Sequence, residues 1–170
     1  MLKYVETEVS LGEVPEEIAL CINISNCPIH CEGCHSPHLW EDIGEELTTQ
    51  KLEQLIKDNK GITCIAFMGG DSDPKSILNL AIWVKHNTHL KVCWYSGRRL
   101  SYTITYQYFD YVKTGPYNKY RGGLDNPDTN QRFYKVSVEK EGDLKYTAFK
   151  DVTYKFRKKN ETNNKSKSVD

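Results

Sequence analysis

Nowhere does the chain approach the roughly 20 consecutive apolar residues that a membrane-crossing helix needs. Nor is there an excess of either charge. Lys and Arg number 23, Asp and Glu number 23, and the formal net charge is zero. Proteins that grip nucleic acid through its phosphates usually carry a basic surplus. Apart from a short basic run near the C-terminus, none is present, so neither a membrane nor a nucleic acid is an expected partner. Met1 to Glu6 is charged and alternating rather than continuously apolar, unlike a signal peptide. A cytoplasmic location is therefore expected.

The 170 residues suit one domain, and 38% hydrophobic with 27% charged residues is ordinary for a globular protein. Six cysteines are present. In a reducing compartment they are not expected to pair. Three of them, Cys27, Cys31 and Cys34, fall within eight positions, and clustered intracellular cysteines read first as metal ligands.

The apolar pattern predicts an ordered series of elements. Residues 2–9 alternate as an edge strand does, and Ile18 to Ile24 is a short buried strand. A periodless loop with Pro28, Gly33 and Pro37 follows. Thr48 or Thr49 caps a helix running to about Lys60 and ended by Gly61. Ile62 to Met68 is a second buried strand, leading into Gly69-Gly70-Asp71. Asp73 and Pro74 start a helix with an apolar stripe of Ile77, Leu80, Ala81 and Val84. Leu90 to Tyr95 is a third strand. Arg98 to Gln107 is ambiguous and reads best as a short helix. Phe109 to Lys113 is a fourth strand. After a second long loop, Thr114 to Arg132, a hairpin is expected from Phe133 to Phe149 with its turn near Gly142. From Arg157 onward almost nothing is apolar, and a disordered tail is expected.

Strand, helix, strand, helix, strand argues for parallel βαβ units wound in one direction. Four such strands are too few for a closed eight-stranded barrel, so an open, partial barrel or a curved sheet is expected. In either, sites form at the carboxyl ends of the strands. The loops after Ile24, Met68, Tyr95 and Lys113 all fall there.

The cysteine loop has the spacing C-x3-C-x2-C. Three thiolates can converge on one cubane cluster and leave its fourth iron open, and an open metal position marks a reactive site. A structural zinc site, completed by His30, His35 or His38, is the competing reading. It lacks the second C-x2-C knuckle that zinc loops usually show. Cys21, Cys64 and Cys93 sit among β-branched or aromatic neighbours and read as small core residues.

At this point the residues become specific. C-x3-C-x2-C after the first βα strand resembles the cluster motif of the radical S-adenosylmethionine superfamily. Gly69-Gly70-Asp71 resembles its GGE motif, with an acid one methylene shorter. Asn26 through Pro37 with Trp40, then Trp94 to Gly97, Asp110 to Tyr117, Gly122 to Asp125 and Thr129 to Tyr134, resemble the activating proteins of the anaerobic ribonucleoside-triphosphate reductase. The resemblance spans roughly residues 17–156.

What it implies is an enzyme. Cys27, Cys31 and Cys34 would bind a [4Fe–4S] cluster. S-adenosylmethionine would bind at the free iron and against Gly33, His35, Gly69, Gly70, Asp71 and Ser96. Its reductive cleavage would give a 5′-deoxyadenosyl radical that takes hydrogen from a glycine of the reductase. The implied partners are that reductase and an electron donor such as a flavodoxin. Tyr117, Tyr120, Arg121 and Arg132 could face the reductase, because Tyr and Arg anchor interfaces. The implied fold is α/β, an open partial (β/α) barrel of the radical-SAM type over residues 1–156 with a C-terminal β-hairpin. Residues 157–170 would form the tail. A radical enzyme acting on a small molecule, as the deazapurine-forming members do, and a zinc-binding module without catalysis remain as alternatives.

Overall fold

A computed structural model describes residues 1–157, Tyr102 excepted. The tail expected over residues 157–170 thus lies, but for Arg157, outside the described residues. The core is one mixed sheet of eight strands, β1 (Lys3–Ser10), β2 (Ala19–Ile24), β3 (Glu45–Glu46), β4 (Cys64–Met68), β5 (Lys91–Tyr95), β6 (Tyr111–Thr114), β7 (Arg132–Glu141) and β8 (Leu144–Asp151). Their spatial order is β3-β1-β2-β4-β5-β6-β7-β8. The four central strands, β2, β4, β5 and β6, are mutually parallel, and the flanking pairs are antiparallel. The parallel strands lie side by side in chain order, as expected when each crossover winds the same way. Strand β1 is not quite the expected edge, because β3 pairs with Lys3 and Tyr4.

Two helices cover one face. Helix α1 (Thr49–Asp58) begins at Thr48, whose hydroxyl accepts the amide of Lys51 at 3.1 Å. It stops short of Lys60 because the Asn59 side chain donates to the Leu55 carbonyl at 2.8 Å. Helix α2 (Pro74–Asn87) is capped by Asp73, which accepts the Ser76 amide at 3.1 Å and the Ser76 hydroxyl at 2.6 Å. Ile77, Leu80, Ala81 and Val84 of α2 and Leu52 of α1 pack on Leu20, Ile22, Ile65, Phe67, Val92 and Trp94. Right-handed crossovers of one sense place both helices on this face.

The opposite face carries smaller side chains. Cys21, Ala66, Cys93 and Tyr111 form one row across the parallel strands, beside Ala19 and Cys64. Val14, Leu124, Phe133 and Val152 cover them. The three strand cysteines are fully buried, as the sequence pattern requires, and burial raises the pKa of each thiol.

One expectation needs correction. Arg98 to Gln107 does not form a helix. Among the described residues of that run, only a 3₁₀ turn begins, Tyr106–Tyr108. Local side chains take over the backbone instead. The Ser101 hydroxyl accepts the Thr103 amide at 3.3 Å, and the Tyr106 hydroxyl accepts the Ser101 amide at 3.2 Å. The hairpin turns at Gly142 and Asp143 as expected, and it extends the same sheet. No helix among the described residues is long and apolar enough to cross a membrane.

Candidate iron–sulfur centre

The parallel pairing puts the loops after β2, β4, β5 and β6 at one end of the sheet. The last full row there is Asn23, Met68, Tyr95 and Lys113. The cysteine loop rises from β2 above it. Its base is closed like a hairpin. The amides of Asn26 and Cys27 donate to the carbonyls of Glu41 and Leu39, both at 2.9 Å. The Ser25 hydroxyl donates to the Ile43 carbonyl at 2.6 Å. Leu39, in the 3₁₀ turn Pro37–Trp40, buries its side chain beneath the loop. The His30 ring stacks on Trp40 with centroids 4.9 Å apart.

Cys27, Cys31 and Cys34 are all free and part-buried. The Cys34 amide donates to the Cys31 carbonyl at 3.0 Å, and the Cys34 Sγ accepts the Ser36 amide at 3.4 Å. Burial pushes the Cys27 thiol up, against hydrogen bonds from the Ile29 and His30 amides. Lys113 is the cation of the site, and the sequence reading missed it. It is buried and donates to the Gly115 carbonyl at 2.7 Å. Burial pulls its ammonium down to about 8, against the opposing pull of Cys31, Asp71, Cys27 and Cys34.

A cavity of about 970 Å³ opens beside Cys34. Met68, Tyr95 and Lys113 form its floor, and Gly122 to Pro127 of the second long loop form a wall. That loop also folds over the cysteines. Tyr117 meets His35 edge-on at 5.1 Å, and Lys119 pairs with Glu32.

Residues 17–117 match the family model described as a 4Fe-4S single cluster domain. The chain belongs to this family. No curated protein and no solved structure matches it.

The donor set of this cluster domain fits a 4Fe-4S group. Among the described residues, no three His, Cys, Asp or Glu side chains gather tightly enough to share a single metal ion. In a cubane each of three thiolates on one loop would hold its own iron. A buried cation beside them offsets the charge of thiolate ligands. The Trp40 indole N–H, in the same loop, is buried without an acceptor, and a sulfur is one acceptor that would satisfy it.

The residues assigned to the second cofactor are placed in two ways. His35 lines the cavity beside Cys34. Gly33 is exposed and Gly69 part-buried, whereas Gly70, Asp71 and Ser96 are buried in protein. A Cβ on Gly33 would lie 3.1 Å from the Lys119 Cβ, and one on Gly69 would lie 3.1 Å from the Ile24 carbonyl oxygen. At Gly70 it would lie 2.5 Å from Ile77 Cδ1, with φ at +89°. These glycines answer close packing and left-handed backbone. The Asp71 carboxylate accepts from the Ser96 hydroxyl at 2.6 Å and from the Gly97 amide at 2.7 Å. Asp71 and Ser96, assigned to the cofactor by resemblance, thus meet each other. Met68 and Tyr95, which the sequence reading did not single out, reach the cavity instead. The available signal was position, at the carboxyl end of a parallel strand.

Among the expected partner-facing residues, Tyr120 is exposed and Tyr117 is turned onto the cysteine loop. Arg132 donates to its own loop, at the carbonyls of Thr129 and Gln131.

Proposed function

We propose that this cluster domain is a radical S-adenosylmethionine enzyme that activates an anaerobic ribonucleoside-triphosphate reductase. The observation that carries this reading is the large cavity that begins at Cys34 and lies over the carboxyl ends of the parallel strands. Its size falls within the range of ligand pockets, about 300–1,000 Å³. In this reading the sheet, with four parallel strands and both helices on one face, is an open partial barrel of the radical-SAM type.

When bound, the cluster supplies the single electron that splits the sulfonium of S-adenosylmethionine into methionine and a 5′-deoxyadenosyl radical, which takes hydrogen from a glycine of the reductase. The chain's own residues prepare for this. Cys27, Cys31 and Cys34 would hold three of the cluster's irons and leave the fourth open to the second cofactor. Lys113 balances the charge at the cavity floor. The loop from Gly115 to Gln131 braces the cysteine loop through Tyr117 against His35 and Lys119 against Glu32. Tyr120 belongs to the surface that meets the reductase, and an electron donor such as a flavodoxin completes the system.

Anaerobic reconstitution with iron and sulfide tests the reading. A brown protein should result, which on addition of dithionite and S-adenosylmethionine releases 5′-deoxyadenosine. With the reductase added, a glycyl radical signal should appear by electron paramagnetic resonance. A colourless protein holding one zinc, or a brown one that leaves S-adenosylmethionine intact, would overturn it.

A further inference from the structure

A chain of contacts joins Asp71 to the cysteine loop. Its carboxylate is almost fully buried, at 2% residue exposure. One oxygen accepts from the Ser96 hydroxyl and the other from the Gly97 amide. The Ser96 oxygen also accepts the Arg98 amide at 3.0 Å, and the Arg98 guanidinium donates to the Asp71 carbonyl at 3.3 Å. Asp71 therefore sets the path of the backbone from Ser96 to Arg98, where the chain leaves β5.

The turn so fixed is where the cysteine loop rests. A Cβ on Gly97 would lie 2.7 Å from Ile29 Cγ1, 3.1 Å from Cγ2 and 3.3 Å from Cβ. Ile29 stands between Cys27 and Cys31 in the chain. Its branched side chain is thus seated on bare backbone, in space that only a glycine leaves free.

We propose that Asp71 is a positioning residue that, through Ser96 and Gly97, holds the seat for Ile29 and so aligns Cys27 and Cys31 for cluster binding. The inference rests on the iron–sulfur assignment and not on the radical chemistry proposed above. Two hydrogen bonds to a buried carboxylate are strong ones. Removing the carboxylate frees the turn, and the loop loses its platform. The reading differs from one in which Asp71 meets the ammonium group of a bound cofactor: it assigns the carboxylate to the protein's own turn, where each oxygen accepts one donor.

The test uses the full chain, reconstituted anaerobically, with iron per chain and the spectrum of the reduced cluster as readouts. Asp71→Ala should lose cluster severalfold. Asp71→Asn keeps an acceptor for the Gly97 amide and should retain most of it. Gly97→Ala pushes Ile29 away and should also lose cluster severalfold. Adding Ile29→Ala to Gly97→Ala makes room for the new methyl, so the double variant should recover to the level of Ile29→Ala alone. That recovery separates loop seating from a general loss of stability, which a second truncation would only worsen. Two results would overturn the proposal. One is a double variant no better than Gly97→Ala. The other is an Asp71→Ala protein with a full, unaltered cluster whose affinity for S-adenosylmethionine alone has fallen.

Discussion

Glu17 offers the sharpest test of how the sheet is held, at the end opposite the cysteines. It immediately precedes Ile18 and β2, and its side chain is buried. One oxygen accepts from the Tyr111 hydroxyl at 2.9 Å and from the Lys91 ammonium. The other accepts from the Thr63 hydroxyl at 2.8 Å. Those partners lie at the starts of β6, β5 and β4, so one carboxylate ties the amino ends of all four parallel strands. Burial alone would raise its pKa, but the bonds from Lys91, Thr63 and Tyr111 outweigh it and hold the carboxyl below the ordinary value of 4.5. Glu17→Gln keeps the shape, removes the charge and turns an amide N–H₂ toward a donor. A hydrogen bond to a charged group contributes about 1.5–3 kcal/mol. Lys91 is half exposed and returns to water easily, so the loss should sit near the middle, about 2 kcal/mol. For a chain of this length that is a fall in Tm of about 4–8 °C.

The pH dependence follows from the direction of the shift. A lowered folded-state pKa stabilises above the unfolded value and loses that contribution as pH falls through the folded value. The wild-type advantage over Glu17→Gln should therefore be full at pH 7 and shrink below pH 4.5. Thermal or urea unfolding of the two apo-proteins between pH 3 and pH 7 measures it. Equal stability at neutral pH, or a gap that widens in acid, would refute the reasoning.

Serine at Cys27, Cys31 or Cys34 should abolish most iron binding, whereas serine at Cys21, Cys64 or Cys93 should leave iron per chain unchanged and lower stability instead. Gly70→Ala must place a methyl against Ile77 at positive φ, and it should cost about 3 kcal/mol in urea unfolding of the apo-protein. Lys113→Met removes the buried cation beside the cysteines. Since reduction adds a negative charge to the cluster, its midpoint potential should become more negative in a redox titration followed by electron paramagnetic resonance.

The sequence by itself determined most of the order of the elements and the clustering of three cysteines on one loop. Apolar runs such as Ile62 to Met68 and the stripe from Ile77 to Val84 are local signals, because burial is imposed by residue type and period. Asp73 with Pro74 marked the start of α2 for the same reason. The C-x3-C-x2-C spacing is local too. What only tertiary structure decided were the pairings between distant segments. Lys113 reads as an ordinary strand residue until β6 is set beside β5 and the cysteine loop closes above it. Asp71 reads as an open carboxylate until Ser96 and Gly97, about 25 residues later, are brought onto it by the parallel pairing of β4 with β5. Gly97 reads as a turn residue until Ile29 arrives from the other loop. Hydrogen bonds and close contacts depend on where two backbones meet, and no single segment carries that information.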